Sequence, residues 1–312
     1  MSMSLKSKLF YKFVRSRMKK YVNNEQEYIT KRCPGQTFGI GGSRESKYKP
    51  SKGYKILRGK VTGLNYELLT LSNDDLRPIS KRKVIYMLHG GAYHMSLTDL
   101  YNGVMEKYSN GTYEVFAIDY RTAPKNLYPA ALGDAVRGFN ILTTMGYSAE
   151  NIIMAGDSAG AGLALAMALK LRDENKDFPK SFVLSSPWVD LSKVYTEEQK
   201  ANDVLFGWGN VLELCANKYA DNNDLKSPYI SPVFDNFEGF SDAKVYISVA
   251  NGEMLESQGE ELARKLRKAN ATVVFDKLDS GMHAIITMYM LGTKECKDAW
   301  ERIHRFIYSL AI

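Results

Sequence analysis

The spacing of hydrophobic positions changes along the chain, and each change marks a boundary. Leu9, Phe10, Phe13, Val14, Met18 and Tyr21 recur at helical spacing among Lys and Arg, which predicts an amphipathic helix with an apolar face laid on another part of the protein. Residues 34–53 are rich in Gly, Ser, Pro and Lys and read as an irregular link. From Tyr54 the pattern becomes that of strands: YKILRGKV, YELLTLS, and then KVIYMLHG, whose continuous apolar stretch predicts a strand covered on both faces. Strands and helices then alternate. VFAIDY precedes a helix from Pro129 through Leu142, and NIIMAGDS precedes AGAGLALAMALKLRD. FVLSSP leads into a long irregular region, VYISVAN precedes ESQGEELARKLRKAN, and TVVFDKL precedes the final helix. This alternation predicts an α/β protein with a mostly parallel, doubly wound sheet. Only residues 190–240 break it, and they read as a lid. The expected organisation is an N-terminal arm and link over 1–52 and a catalytic domain over 53–312 with an insert at 190–240.

Composition narrows the function. A chain of 312 residues is long enough for one large core. The net charge of +7 is unevenly placed: residues 1–60 hold sixteen Lys and Arg against three acids, so the remainder is acidic. A solvated basic helix explains that density without a nucleic acid or lipid partner. Cys33, Cys215 and Cys296 are odd in number and widely separated, with no zinc-ligand spacing, so neither a disulfide framework nor a metal site is expected. The first 22 residues interrupt their apolar positions with Lys and Arg too often for a signal-peptide core. No apolar run approaches the ~20 residues of a membrane-spanning helix. A soluble, cytoplasmic protein without membrane insertion is the expectation, with a homodimer one option for its assembly.

The candidate chemistry begins at Gly156-Asp157-Ser158-Ala159-Gly160. It follows a buried strand and opens a helix, the context of a nucleophile elbow in which a strained turn lifts the Ser158 hydroxyl above the sheet. Five residues with three fixed recur by chance, so the weight lies in that context. His89-Gly90-Gly91-Ala92-Tyr93, directly after KVIYML, can aim the backbone N–H groups of Gly90, Gly91 and Ala92 into the site; with that of Ala159 they would form an oxyanion hole. A serine hydroxyl needs a base, and the base needs an orienting acid, in the order Ser, acid, His. Of four histidines, His89 and His94 precede Ser158 and His304 lies inside the last helix, which leaves His283 in the loop after TVVFDKL. The acid belongs after VYISVAN, where Glu253 is the better candidate. Glu256 is expected to charge the first turn of the next helix instead, and Asp242 and Asp279 carry minor weight.

These stretches together resemble the hormone-sensitive-lipase-like branch of the α/β-hydrolases. The likeness runs from Lys83 to the C-terminus: HGGAY resembles the family's oxyanion loop, IDYRTAPKNLYPAALGDA its Asp-Tyr-Arg-x-Ala-Pro stretch, and GDSAGAGLA its elbow. SSPWVDLS, NGEMLESQ and DSGMHAI are similar to its later landmarks. The resemblance implies an α/β-hydrolase fold with a helical cap, made by the arm and the 190–240 region. It also implies a short-chain carboxylesterase or acetyl esterase that takes a small-molecule ester and needs no cofactor. The chain departs from the pattern twice. Ala92 replaces a third glycine and is expected to offer its N–H from ordinary dihedral angles. Glu253 stands where many members have Asp, a longer arm able to hold the imidazole equally well. We expect Leu9, Phe10, Phe13 and Val14 to face the insert near Phe206, Trp208 and Tyr219. The alternatives are a catalytically weak small-molecule-binding protein on the same scaffold and a lipase acting at a membrane surface. A peptidase of related fold would need a further large domain.

Overall fold

In the computed structural model, which describes residues 4–18, 46–72, 77–206, 209–279 and 282–310, the alternation builds one eight-stranded sheet. Its strands are β1 (Tyr54–Val61), β2 (Leu64–Leu71), β3 (Val84–Leu88), β4 (Glu114–Asp119), β5 (Ile152–Asp157), β6 (Ser181–Ser185), β7 (Lys244–Ala250) and β8 (Thr272–Leu278). Their spatial order is β1-β2-β4-β3-β5-β6-β7-β8. β1, β2 and β4 pair antiparallel, and every pairing from β4 onward is parallel. A βαβ crossover requires a covering helix, so the parallel part is packed on both sides.

The alternation of side chains along the central strands explains the two cores. On β3, Val84, Tyr86 and Leu88 enter one buried cluster while Ile85 and Met87 enter the other; on β4, Phe116 and Ile118 face the first and Val115 and Ala117 the second. The first cluster is closed by the helices Ala130–Met145 and Ala159–Asp173, and by Leu262, Ala263 and Leu266 of the helix Glu256–Lys268. The second is closed by Asp99–Ser109 through Tyr101, Val104 and Met105, and by Lys294–Ser309 through Trp300, Ile303 and Ile307. In chain order the helices are α1 (Leu5–Met18), α2 (Asp99–Ser109), α3 (Ala130–Met145), α4 (Ala159–Asp173), α5 (Glu197–Asn202), α6 (Val211–Ala220), α7 (Glu256–Lys268) and α8 (Lys294–Ser309). Among the described residues no helix is long and apolar enough to cross a membrane.

The insert between β6 and β7 is not irregular throughout. It contains α5, opened by a reciprocal cap between Thr196 and Gln199, and α6, whose Val211, Leu212, Cys215 and Tyr219 join the first cluster. The arm forms α1 as expected, but with a different face inward. Leu9 and Phe13 are 60 % and 56 % exposed, whereas Tyr11 is buried in the second cluster and Phe10 and Val14 lie half-buried against it. The reason is polar as well as apolar: Ser4 and Ser7, on the side of Tyr11, donate to the Glu295 carboxylate in the first turn of α8. Of the partners expected for the arm, Tyr219 stacks on Tyr93, Phe206 meets His283, and Trp208 lies outside the described residues. Tyr21, Cys33 and residues 34–45 of the expected link also lie outside them.

Candidate active site

β5 ends at Asp157 and the chain turns into α4 at Ser158, which takes φ 53° and ψ −124°, a conformation that L residues adopt only where their surroundings enforce it. Two hydrogen bonds enforce it here: the Ser158 N–H donates to the Ser185 carbonyl at 2.9 Å, and the Trp188 N–H donates to the Ser158 carbonyl at 3.1 Å. A Cβ on Gly160 would overlap the carbonyl oxygens of Leu88 and His89. Glycine there lets the start of α4 press against the end of β3, which brings the loop after β3 beside Ser158.

That loop is fixed by Asp157. Its Oδ1 accepts the Gly90 N–H at 3.1 Å, its Oδ2 accepts the Tyr101 hydroxyl at 3.0 Å, and the Gly90 N–H also reaches the Tyr101 oxygen at 2.9 Å. Burial raises the Asp157 pKa to about 6, against the opposing pull of Tyr101, His283 and the Gly90 N–H. The Gly90 donor is thus committed to holding the loop. The N–H groups of Gly91, Ala92 and Ala159 have no acceptor among the described residues. Gly91 has φ 113°, Ala92 53° and Tyr93 62°. Ala92 therefore does not use ordinary dihedral angles, as expected from its side chain, but the left-handed region, at a cost of roughly 1–2 kcal/mol. The Tyr93 carbonyl, which accepts the Ala123 N–H at 2.8 Å, and the Tyr93 ring, stacked on Tyr219 at 3.9 Å, hold the loop in that state.

The loop after β8 carries His283 and the loop after β7 carries Glu253. The two side chains are buried, with His283 Nδ1 2.8 Å from Glu253 Oε2. The other oxygen, Oε1, accepts the Ala250 N–H at 2.9 Å, so neither oxygen of Glu253 is idle. A carboxylate at Nδ1 fixes the tautomer with the proton on that nitrogen and leaves Nε2 to accept one. Burial disfavours a charged His283, but the hydrogen bond to Glu253 and the charges of Glu253, Asp203 and Asp157 outweigh it and hold its pKa above the ordinary histidine value. The histidine loop is tied back to the elbow through the residues after β6. The Ala284 N–H donates to Ser186 Oγ at 2.9 Å, next to Ser185, which accepts from Ser158.

The remaining histidines stand apart from this pair. His89 lies flat on Tyr120 with centroids 4.1 Å apart, Nδ1 bonded to the Gly90 carbonyl, and burial pushes its pKa down to about 4. His94 Nδ1 bonds the Ala92 carbonyl, and His304 Nε2 the Lys107 carbonyl. Glu256 accepts the Gly252 N–H and pairs with Lys277. Asp242 pairs with Lys180, and Asp279 is exposed. Sequence reasoning did not single out Asp157, Ser186 or Asp203. Asp157 lay inside the elbow motif and Ser186 inside SSPWVDLS, and either could have been flagged there; nothing in the sequence near Asp203 points to its bond with Met254.

Comparison with known proteins agrees with this fold. The family described as alpha/beta hydrolase fold matches residues 85–287. An esterase of Acinetobacter venetianus is 29 % identical over 235 residues, 74 % of this chain and 76 % of the relative. An acetyl-hydrolase of Streptomyces hygroscopicus is 30 % identical over 205 residues, 65 % of this chain and 67 % of the relative. Among solved structures, EstE5 soaked with p-nitrophenyl butyrate superposes with a TM-score of 0.81 at 23 % identity, covering 98 % of this chain and 99 % of that one. The hormone-sensitive-lipase homologue EstE7 from a metagenome library gives 0.78 at 22 % identity, covering 99 % and 100 %. The chain belongs to the α/β-hydrolase fold family, and its relatives by sequence include an esterase and an acetyl-hydrolase.

Proposed function

We propose that the protein is a serine carboxylesterase that hydrolyses short-chain acyl esters through an acyl-enzyme, with Ser158 as nucleophile, His283 as general base and Glu253 as its orienting acid. The observation that carries the reading is the buried Glu253–His283 pair at 2.8 Å, on a loop tied to the elbow that strains Ser158. His283 Nε2 takes the Ser158 hydroxyl proton as Oγ attacks the ester carbonyl. The imidazolium, stabilised by Glu253, then gives that proton to the departing alkoxide, and water repeats the sequence to release the acid. The carbonyl oxygen becomes an oxyanion facing the N–H groups of Gly91, Ala92 and Ala159. Fixed backbone donors of this kind contribute about 2.7–4 kcal/mol each to lowering the barrier.

The preference for acyl groups from acetyl to butyryl is supported by relatives: one is an acetyl-hydrolase, and EstE5 was soaked with a butyrate ester. The roof of the acyl site in this reading is the insert together with α1. A cytoplasmic location belongs to this reading, since three widely separated cysteines are not the spacing of a disulfide framework, and a homodimer is one option for its assembly. One observation favours a second reading, action at a membrane surface: Leu5, Leu9 and Phe13 form an exposed stripe on α1 beside the exposed Lys8 and Lys12.

The test is a rate series over p-nitrophenyl esters of increasing acyl length. Acetate to butyrate should exceed decanoate in kcat/KM by at least about tenfold, the least that one methylene too many costs in a closed pocket. A kcat/KM that rises into the long-chain esters would overturn the short-chain assignment.

A further inference from the structure

The insert reaches the histidine of the site, and one buried carboxylate holds it there. Asp203 directly follows α5 and is buried. Its Oδ1 accepts the backbone N–H groups of Leu205 and Phe206, each at 2.7 Å, which closes residues 203–206 into a turn. Its Oδ2 accepts the N–H of Met254 at 2.8 Å, so the same side chain reaches across to the residue next to Glu253. Phe206, fixed by that turn, sets its ring edge-on to the His283 imidazole, with centroids 5.0 Å apart and planes at 65°. A turn alone could be closed by one neutral acceptor. A carboxylate accepting from the insert on one oxygen and from the acid loop on the other, at the desolvation cost of burial, joins two segments that must keep register.

We propose that Asp203 is a positioning residue for the reaction: it locks the insert to the acid loop, so that Phe206 buttresses the His283 ring and a second carboxylate supports the imidazolium, a role that rests on His283 being the base. The charges of three carboxylates act on His283: Glu253 of the acid loop, in direct contact, and Asp203 of the insert and Asp157 of the elbow at longer range. The charges of Glu253 and His283 act on Asp203, and those of Asp203, Glu253, Glu213 and Asp190 on Tyr195. Burial raises the Asp203 pKa, while the N–H groups of Phe206 and Met254 and the charge of His283 draw it back.

The consequence is a split between rate and pH dependence. The acid limb of kcat/KM rises as His283 loses its proton. Removing the Asp203 charge makes that proton easier to lose, so the limb moves to lower pH even as the plateau falls. A side chain that only kept the insert folded would lower the plateau and leave the limb in place.

The experiment compares pH profiles of kcat/KM for p-nitrophenyl acetate in the full chain, in Asp203→Asn, in Asp203→Glu and in Ser158→Ala. Asn would place an NH₂ donor against the Met254 N–H; the expected plateau loss is about tenfold, the lower end of what orienting partners one shell out contribute, with kcat falling more than KM changes. Its acid limb should shift to lower pH. Asp203→Glu keeps the charge but misplaces it, so its limb should stay with the wild type while its plateau falls. The limb midpoint does not depend on the fraction of folded enzyme, so poor folding of a variant does not blur the reading. An Asp203→Asn limb that coincides with the wild type overturns the proposal. If Ser158→Ala is inactive while that limb stays, only the role of Asp203 fails; if Ser158→Ala keeps its activity, the underlying assignment of the site fails first.

Discussion

Two glutamates three positions apart differ in what they accept. Glu253 is buried and gives one oxygen to His283 and the other to the Ala250 N–H, whereas Glu256 closes the turn at Gly252 and pairs with Lys277 at the surface. Glu253→Gln would set an amide NH₂ against Nδ1–H or force the other tautomer, and should lower kcat by ~10³-fold or more, as amides do when they replace an orienting acid. Glu256→Gln should stay within about fivefold, since a partly exposed ion pair is worth about 0–1 kcal/mol. Steady-state kinetics on a short ester separates the two, and the reverse ranking would transfer the acid role to Glu256. That Ser158, Glu253 and His283 each follow a strand was legible in sequence from the apolar spacing of IIMA, VYISVA and TVVF. The left-handed Ala92 was not, because a residue's own propensity argues against it, and the loop that imposes it is held through Tyr93 by Ala123 and Tyr219 as well as by His94 at the Ala92 carbonyl. The turn that Asp203 closes with Leu205 and Phe206 is local, but its bond to Met254, 51 residues away, was not legible.

At the scale of elements, period was a better guide than face. The strand Thr272–Leu278 and the helix Ala159–Asp173 coincide with the segments expected from apolar spacing and small-residue content. α1 also formed, yet its apolar residues are spread around the helix, and no rule of spacing could say that Ser7, Tyr11 and Val14 rather than Leu9 and Phe13 would turn inward. The bond from Ser7 to Glu295 decides it, and those two residues lie 288 positions apart. Deleting residues 1–18 should uncover the patch under Tyr11, at roughly 1.5–3 kcal/mol for one large buried side chain, and lower the Tm by several degrees. It should also weaken the discrimination between short and long acyl chains. An unchanged Tm and chain-length profile would make α1 a dispensable arm. Co-sedimentation of the intact chain with anionic vesicles at about 0.15 M salt, lost on this deletion, would instead favour the membrane-surface reading; the short-chain esterase reading expects the protein in the supernatant.

Across the whole molecule, the candidate site is a meeting of loops at the carboxyl ends of the parallel strands. Ser158 follows β5, the donors of Gly91 and Ala92 follow β3, Glu253 follows β7 and His283 follows β8, all at the carboxyl ends of parallel strands. Helices cover both faces of an open parallel sheet, which leaves that end as the place where loops from distant strands converge. The residues after β6 stitch the group together, because Ser185 holds Ser158, Trp188 returns to its carbonyl and Ser186 holds the histidine loop. The central claim is that Ser158 is the one activated nucleophile of this assembly. It is tested most directly by treating the native protein with a fluorophosphonate and locating the adduct by peptide mass spectrometry while following loss of esterase activity. The account predicts one phosphonyl group per chain, on Ser158, formed in step with inactivation and absent from Ser158→Ala; stoichiometric inactivation with the adduct on another residue, or an Ser158→Ala variant that labels and hydrolyses like the wild type, would contradict it.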